Sequence, residues 1–369
     1  MTNQFEEPVI LKTIKEFPSV DSACVGLSSR SGIVTNTVVT SSGETLYEFD
    51  CSRIHTASRL NMEAKMLLVN SKAQLVSRGF PRIPAHKDVF HLTNREINWN
   101  NALAEQKVFG VPVTITIYNG QLLTNVRKNS AGDPIVNPHQ IEAFISRKLR
   151  CDNLIDKFAS PKYCWIFEYI SPSVGPISEH VEEDLILLGI YNKENHGELK
   201  ADLVENFAET VGFSRPWCKR VYNEEAVHDI MSKLTPLDEG IVVKDNLNCR
   251  MIFRNDAFRI ACKILESPVG INSMYHMVDI FKSNYDSVQF MCRYYDKFSE
   301  LAEPMDEKFR SILFEIEREW NAVSDIEDKK EFASSIAGSK HKQILSGIRS
   351  SEIKDFYGIL KHISWMDLT

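Results

Sequence analysis

The sequence predicts an α+β fold in which antiparallel strands come first and an all-α domain follows. The run Val113–Ile117 alternates apolar and polar residues and leads to Asn119-Gly120, the pattern of a strand that enters a tight hairpin turn. From about residue 266 the apolar spacing changes to three and four residues, as over Phe309–Trp320. We therefore predict one domain over residues 1–265, β-rich over about 1–100, and a helical domain over residues 266–369.

The composition is that of an ordinary folded protein. Of the 369 residues, 43% are hydrophobic and 25% are charged, which is enough for two domains with separate cores. The net charge of −7 argues against a protein that coats nucleic acid non-specifically, although it allows a local basic cleft. Neither a signal peptide nor a bilayer-spanning apolar run is evident. We therefore expect a cytoplasmic or otherwise intracellular protein that is neither secreted nor membrane-bound.

The eight cysteines are spread over apparent core segments, and none forms a Cys-x-x-Cys pair. The ten histidines show no metal-ligand spacing either. We expect buried thiols in a reducing compartment, without a disulfide framework and without a zinc site.

A single lysine precedes the predicted hairpin. Lys107 is followed by Gly110 and then by the strand, so it lies at the mouth of a sheet on rigid backbone, where a nucleophile is useful. The alternative is a surface lysine, because single lysines beside strands are common. The choice depends on the partners that the rest of the chain supplies.

Basic residues bracket two further segments. Lys65 precedes one predicted hairpin, and Arg78 and Arg82 follow it, either as solvated strand ends or as anion-binding groups. Arg127 lies in a basic loop after the Lys107 hairpin. A helix begins next, with Asn137 as N-cap and Pro138 in its first position, so this corner is suited to an anion.

Two later strands carry carboxylates. Glu168 lies within the apolar run Tyr163–Ile170, where it must be paired, hydrogen-bonded or bound to a metal unless it faces water at a sheet edge. Glu239 directly precedes another apolar strand. In the run Arg250–Arg254, alternate residues share one face of a strand, which brings two arginines together. One lysine, two glutamates and several arginines are the groups needed to hold a nucleoside triphosphate and its divalent metal.

In the helical domain, Pro304 and Gly338 are expected to separate the helices. The predicted helices cover Met274–Phe281, Val288–Phe298, Asp306–Val323, Lys329–Ile336 and Ile353–Ile359. An aromatic stripe (Phe281, Tyr285, Phe290, Tyr294, Tyr295, Phe298) favours a core over a base-stacking platform. The basic run Lys340–Lys342, with Arg349 and Lys354, favours a solvated face over a phosphate-contacting patch.

In order and spacing, these motifs resemble the covalent nucleotidyltransferase superfamily, and within it the phage-type RNA ligase 1 family of ATP-dependent RNA ligases. The likeness runs from about residue 60 to residue 265, with a weaker likeness in the helical tail. Lys107-Val108-Phe109-Gly110 is similar to the family's Lys-x-Asp-Gly motif. Phe167-Glu168-Tyr169 resembles its Phe-Glu-aromatic strand, and Glu239-Gly240-Ile241 resembles its Glu-Gly-apolar strand.

Basic positions complete the resemblance, with two departures. The segment from Lys65 to Arg82 is similar to the family's upstream hairpin, Arg127 falls at a lysine of the second hairpin arm, and Arg254 falls in the final Lys-x-Lys motif. Phe109 stands where the family has aspartate, and Ile252 where it has the first lysine of the final motif, with Arg250 one strand-step away. Arginine binds phosphate but does not readily deprotonate, so Lys107 is the lysine kept where a nucleophile is required.

The resemblance implies an ATP-grasp-like nucleotidyltransferase fold of antiparallel sheets with helices. It implies an ATP-dependent RNA ligase that joins RNA 5′-phosphate and 3′-hydroxyl ends through lysyl-AMP and RNA-adenylate, in RNA or tRNA repair. Lys107 would be the nucleophile, deprotonated by desolvation, neighbouring cations or a metal. Glu168 and Glu239 would contact the ribose and hold Mg²⁺, with Mn²⁺ as the alternative metal.

The remaining implied contacts concern phosphate and RNA. Arg127, Arg250 and Arg254 would balance phosphate charge, and Lys65 and Arg82 would contact the triphosphate or the RNA 5′-phosphate. With Gly110, Glu168 and Glu239, these residues make up the expected nucleotide-binding set. The helical domain would contact RNA, with a nicked tRNA-like stem-loop as the candidate.

Two alternatives stay open. A degenerate nucleotidyltransferase would bind nucleotide or RNA ends without sealing them, as the departures at Phe109 and Ile252 suggest. A DNA ligase or a capping-type enzyme is less favoured, because those relatives typically add an OB domain after the last strand, whereas the tail here is helical.

Overall fold

The computed structural model describes residues 6–51, 58–85, 96–129, 132–158, 160–174, 182–266, 278, 281–294 and 296–364. The chain divides into two compact units, Met1–Arg254 and Asn255–Thr369. Among the described residues, no helix combines the length and the apolar character needed to cross a membrane.

The first sheet of the first unit is an antiparallel meander with the order β1-β2-β3-β4. Its strands are β1 (Ile33–Val39), β2 (Thr45–Cys51), β3 (Leu67–Val69) and β4 (Leu75–Ser77). Three helices pack on it: α1 (Val9–Lys15), α2 (Val20–Ser31) and α3 (Arg59–Glu63).

The prediction of a β-rich segment over about residues 1–100 did not include these helices. The sequence does contain a start signal for α2, because the side chains of Ser19 and Ser22 each accept a hydrogen bond from the other residue's backbone N–H in a capping box. The apolar stripe of α2 is weak, and its burial against the sheet stabilises the helix.

The chain then crosses from one sheet to another. Strand β5 (Ala102–Gln106) follows a short 3₁₀ turn at Trp99–Asn101, and β6 (Val111–Tyr118) begins only a few residues later. The two strands belong to different sheets. The segment 107–110 is therefore the junction between them.

The second sheet has the order β10-β9-β8-β6-β7. Besides β6 it contains β7 (Gln121–Val126), β8 (Tyr163–Ile170), β9 (Asp184–Asn192) and β10 (Gly197–Glu198). Its core packs against α4 (Pro138–Leu149), α5 (Leu154–Lys157) and α6 (Ala201–Val211).

The hairpin and the helix start predicted here are confirmed. Tyr118 pairs with Gln121 across the turn, and both Asn119 and Gly120 have positive φ (49° and 75°), as the tight turn requires. The side chain of Asn137 accepts a hydrogen bond from the backbone N–H of His139 at the start of α4 (3.0 Å).

The third sheet has the order β11-β5-β12-β13. Its later strands are β11 (Cys218–Val221), β12 (Gly240–Lys244) and β13 (Arg250–Arg254), and α7 (Glu224–Met231) packs on it. Because β5 and β6 are joined by so short a segment, the adjoining ends of the second and third sheets meet around residues 107–110.

In the second unit the described helices are α8 (Asp256–Glu266), α9 (Tyr285–Cys292), α10 (Asp296–Val323), α11 (Lys329–Ser335), α12 (Lys342–Arg349) and α13 (Phe356–His362). The sequence-based domain boundary at residue 265 falls inside α8. The predictions did not include α8 and α12, and most of the predicted helix Met274–Phe281 lies outside the described residues.

The prediction that Pro304 separates two helices is wrong, because this proline lies inside α10. Ala302, Met305 and Phe309 on either side of it are buried. Their burial stabilises one continuous helix despite the hydrogen bond that proline cannot make.

The aromatic stripe divides between core and surface. Phe281 is buried and contacts the ring of Tyr285 with centroids 5.1 Å apart, as the core interpretation predicted. Phe290 and Tyr294 are instead 39% and 43% exposed. The side chains of Tyr295 and Phe298 lie outside the described residues.

Two further predictions need correction. The cysteines are all free, but Cys218 is exposed, and only Cys164 and Cys249 are fully buried. In the basic run, His341 is buried, and Arg349 donates hydrogen bonds to the carbonyls of Ile326 and Glu327 (both 2.7 Å). Arg349 therefore links the end of α12 to the loop between α10 and α11, and it does not lie on a purely solvated face.

Candidate active site

Lys107 lies on the junction between the second and third sheets. Its backbone N–H donates to the carbonyl of Gly240 (3.0 Å), which extends the β5–β12 ladder by one bond. Its side chain is 24% exposed, and Nζ lies 3.0 Å from Oε2 of Glu239. Nζ also donates to the carbonyl of Val108 (2.9 Å). The amine is thus fixed on rigid backbone beside a carboxylate.

The glycines of both motifs are required by close packing. A Cβ at Gly110 would lie 2.3 Å from the carbonyl oxygen of Tyr169 and 3.0 Å from Cγ of Glu168. Gly240 has φ +141°, and a Cβ there would lie 2.1 Å from the carbonyl oxygen of Phe253. Each glycine lets two strands approach closely next to a functional side chain.

Glu168 is buried on β8, opposite Pro112 of β6. Burial raises the pKa of Glu168, and the positive charges of Lys107 and Lys65 oppose that rise without cancelling it. Burial also lowers the pKa of Lys65. There the negative charge of Glu168 opposes the shift and the positive charge of Lys107 adds to it. Glu168 therefore lies in the electrostatic field of two lysines.

The protonation of Lys107 differs from the expectation. Burial lowers the pKa of Lys107, but the carboxylates of Glu168 and Glu239 outweigh burial, so that the pKa lies above its ordinary value. The protein side chains alone therefore hold the amine protonated. Desolvation by itself does not produce the neutral nucleophile.

A cavity of about 570 Å³ opens around Lys107. Every residue of the expected nucleotide-binding set lines it: Lys65, Arg82, Lys107, Gly110, Arg127, Glu168, Glu239, Arg250 and Arg254. Apolar residues line it as well, among them Ile166, Leu188 and Val242. The fold thus brings together residues from all three sheets that are far apart in the sequence.

The arginines of the cavity differ in their partners. Both Nη atoms of Arg250 donate to the carboxylate of Glu198, so this guanidinium is already paired. Arg127 and Arg254 are exposed, and neither forms an ion pair with another of the described side chains. These two are the arginines best placed to meet an anionic ligand.

Sequence reasoning missed Glu198 and Lys128. Lys128 lines the cavity and forms an ion pair with the buried Glu48 (2.5 Å). Lys128 lies next to Arg127 in the predicted basic loop, so proximity to that arginine was a usable signal. Glu198 follows a turn and carries no such signal, because its partner Arg250 is remote in the sequence.

The donor set suits a metal that arrives with its substrate. Glu168 and Glu239 both act on Lys107, and the charge of Glu239 contributes to the raised pKa of Glu168. A divalent cation between them would relieve this repulsion. Mg²⁺ binds to one or two carboxylates together with water and substrate phosphates. Across the described part of the chain, no group of three or more His, Cys, Asp or Glu forms a protein-only site.

No known protein-family model matches this chain, and no curated protein matches it. Solved structures that resemble it include proteins described as ATP-dependent RNA and DNA ligases. An archaeal ATP-dependent RNA ligase is 15% identical with a TM-score of 0.46, over 80% of this chain and 77% of that chain. A protein described as an ATP-dependent DNA ligase from Aquifex aeolicus is 14% identical with a TM-score of 0.49, over 90% and 99%.

A Naegleria gruberi RNA ligase variant with ATP and Mn is 12% identical with a TM-score of 0.34, over 47% of this chain and 53% of that chain. Identities and scores this low do not transfer an activity. The finer resemblance to the phage-type RNA ligase 1 family stays a prediction.

Proposed function

We propose that this chain is an ATP-dependent RNA ligase in which Lys107 becomes covalently attached to AMP. The observation that carries the proposal is the position of the Lys107 amine, which lies in one cavity with Glu168, Glu239 and an excess of cationic side chains. A triphosphate needs such cations, and a covalent transfer needs a fixed nucleophile.

The cavity lining includes groups that suit each part of ATP. Ile166, Leu188 and Val242 supply apolar side chains, which suit the base. Arg127 and Arg254 are the exposed cations for the phosphates. Glu168 and Glu239 would hold Mg²⁺ or Mn²⁺, which when bound neutralises negative charge on the phosphate oxygens.

Loss of a proton from Lys107 is the first requirement of the reaction. The two carboxylates now raise its pKa, so a ligand that engages them removes the interactions that keep the amine charged. Arg254 then favours the neutral amine, because its positive charge lowers the pKa of Lys107.

Three transfers follow from a neutral Lys107. The amine attacks the α-phosphorus, so that an N–P bond forms while the P–O bond to pyrophosphate breaks, pyrophosphate leaves with its electron pair, and the nitrogen gives up a proton to solvent. An oxygen of the RNA 5′-phosphate next displaces the lysine, whose nitrogen takes up a proton as the N–P bond breaks, and the RNA takes the AMP. The RNA 3′-hydroxyl finally attacks the 5′-phosphorus, loses its proton, and releases AMP as the phosphodiester forms.

The first test is covalent labelling. The protein is incubated with [α-³²P]ATP and Mg²⁺, and the expected result is a labelled band that is acid-labile and alkali-stable, as a phosphoramidate is. Lys107→Ala should lose the label. Lys148→Ala should keep it, because Lys148 has the same 24% exposure and a similar ion pair, with Asp184, outside the cavity. An unlabelled wild type, or a labelled Lys107→Ala variant, would contradict the proposal.

The second test identifies the nucleic acid. Nicked RNA and nicked DNA of one sequence, each with 5′-phosphate and 3′-hydroxyl ends, are offered to the labelled protein, and we expect transfer and sealing with RNA. A nicked tRNA stem-loop is the proposed natural substrate, with the helical unit contacting it. Preferential sealing of DNA would instead support a DNA ligase.

One observation favours a second candidate, a nucleotide-binding protein that does not seal ends. Phe109 and Ile252 line the cavity where the resembling family has charged residues, and Ile252 is only 3% exposed. The cavity thus lacks two of the polar groups that the resembling family has. A protein that labels at Lys107 but seals neither RNA nor DNA would support this candidate.

A further inference from the structure

Glu198 connects two sheets at the edge of the cavity. It lies on β10, the edge strand of the second sheet, and its partners Lys244 and Arg250 lie on β12 and β13 of the third. Both Nη atoms of Arg250 donate to its carboxylate, and Nζ of Lys244 donates to Oε2 (3.0 Å). Burial alone raises the pKa of Glu198, but the two cations outweigh it and lower the pKa to about 2. The carboxylate of Glu198 is therefore ionised at neutral pH.

Arg250 in turn covers an aromatic ring. Its guanidinium carbon lies 4.0 Å from the ring centroid of Phe80, a cation–π contact. The tip of that ring points at Gly189 of β9, where a Cβ would lie 2.7 Å from Cζ. Phe80 also packs against Ile166 and Tyr191. The ring is thus held between the guanidinium and a strand that has no side chain at that point.

Phe80 belongs to a short segment, residues 79–85, that we call the strap. Two backbone hydrogen bonds connect the strap to α3 and to the turn that follows it. The Gly79 N–H donates to the Met66 carbonyl (3.3 Å), and the Arg82 N–H donates to the Met62 carbonyl (2.8 Å). A third backbone hydrogen bond, from the Ile252 N–H to the carbonyl of Pro84 (2.9 Å), connects the strap to β13. Residues 79–83 of the strap line the cavity.

We infer that Glu198 is a positioning residue of the nucleotide cavity: by fixing Arg250 over Phe80, it holds the strap as the wall against which ATP binds. Glu198 itself does not line the cavity, so it acts through Arg250. This inference rests on the proposed function and refines it. In this inference Arg250 stabilises the position of the strap, and Arg127 and Arg254 contact the phosphates.

The test is a double-mutant cycle on nucleotide binding. Glu198→Gln, Phe80→Leu and the double variant are titrated with α,β-methylene-ATP by calorimetry, and the rate of lysyl-AMP formation is measured against ATP concentration. We expect each single variant to weaken binding by roughly tenfold and the double variant to be no weaker than either, because both changes remove one linked contact. The maximal labelling rate should stay within about twofold, since the linked contact positions ATP and does not take part in the transfer.

Two controls separate positioning from general damage. Lys148→Ala breaks a more exposed ion pair, with Asp184, that lies outside the cavity, and it should leave binding unchanged. Arg250→Lys keeps the charge but loses the two-pronged contact and the planar stacking group, so it should weaken binding as Glu198→Gln does. Thermal unfolding of every variant shows whether the titration is made on folded protein. If Glu198→Gln does not fold, Arg250→Lys takes its place in the cycle.

Unchanged binding in Glu198→Gln, or additive losses with Phe80→Leu, would overturn the inference. These outcomes are distinct from failure of the proposed function. If the analogue binds with the expected coupling but no lysyl-AMP forms in the wild type, the positioning role stands and the ligase assignment fails. If labelling depends on Lys107 but Glu198→Gln leaves nucleotide binding unchanged, the ligase assignment stands and the positioning role fails.

Discussion

Lys107 and Glu239 are linked through both side chain and backbone. Nζ lies 3.0 Å from Oε2, and the Lys107 N–H donates to the carbonyl of Gly240, the next residue after Glu239. Because the backbone bond fixes the strand register, the carboxylate stays beside the amine. The same pairing contributes to the raised pKa of Lys107, so the resting site holds a nucleophile in its unreactive form.

The first prediction concerns the pH dependence of labelling. Since the pKa of Lys107 lies above its ordinary value before nucleotide binds, the rate of lysyl-AMP formation should rise with pH through the neutral and alkaline range. In Glu239→Gln the amine loses one carboxylate, so the rise should move to lower pH while the maximal rate falls. Single-turnover labelling at limiting ATP, where the rate reports the pKa values of the protein before nucleotide binds, measures both effects across a series of pH values. Glu142→Gln, on α4 outside the cavity, should reproduce the wild-type profile; a Glu239→Gln profile unmoved on the pH axis would refute the pairing argument.

The second prediction concerns Glu168→Gln. Because burial raises the pKa of Glu168, the folded protein disfavours its ionised form at neutral pH. A folded-state pKa above the unfolded value gives stability that is present below the unfolded pKa and lost as pH rises through the folded one. The glutamine variant should therefore be at least as stable as wild type at pH 7, and its advantage should vanish in acid, while labelling is lost. Urea unfolding at pH 7 and pH 4 tests this, and marked destabilisation at pH 7 would contradict it.

The third prediction concerns Gly110→Ala. The added Cβ would meet the Tyr169 carbonyl oxygen at 2.3 Å, a backbone atom that cannot move aside without shifting β8. We expect a loss of about 1–3 kcal/mol in the free energy of unfolding, together with weaker labelling as Lys107 is displaced. Gly338→Ala is the matched control, because nothing lies within 4 Å of its Cβ position. Equal stability of the two variants would show that the close approach is not a constraint.

The fourth prediction concerns the two exposed arginines. Arg254→Ala and Arg127→Ala should each raise the ATP concentration for half-maximal labelling by about tenfold, or ~1.4 kcal/mol, because each removes an exposed charge of the cavity that we propose to contact the phosphates. The lysine variants should recover part of the loss. A salt titration provides a second readout, since exposed charge contacts weaken as ionic strength rises. If both alanine variants show the same ATP dependence as the wild type, the phosphates do not bind at these two arginines.

The sequence by itself determined the local elements and the chemistry they carry. The β6–β7 hairpin follows from alternation and a two-residue turn, β8 from an apolar run, and the start of α4 from a cap, all of which act over a few neighbours. The sequence also predicted Lys107, Glu168 and Glu239 as candidate site residues. They line one cavity because each lies next to the junction of two sheets.

Only the tertiary structure decided which groups those residues meet. In the folded protein Glu198 pairs with Arg250, whose guanidinium lies over the ring of Phe80. Helix α10 continues through Pro304, and Cys218 is exposed. The tertiary structure also set the direction of the pKa shift at Lys107, which depends on the balance between burial and two carboxylates from distant strands. Contacts of this kind are made between segments remote in the chain, and local spacing carries no information about the distance between them.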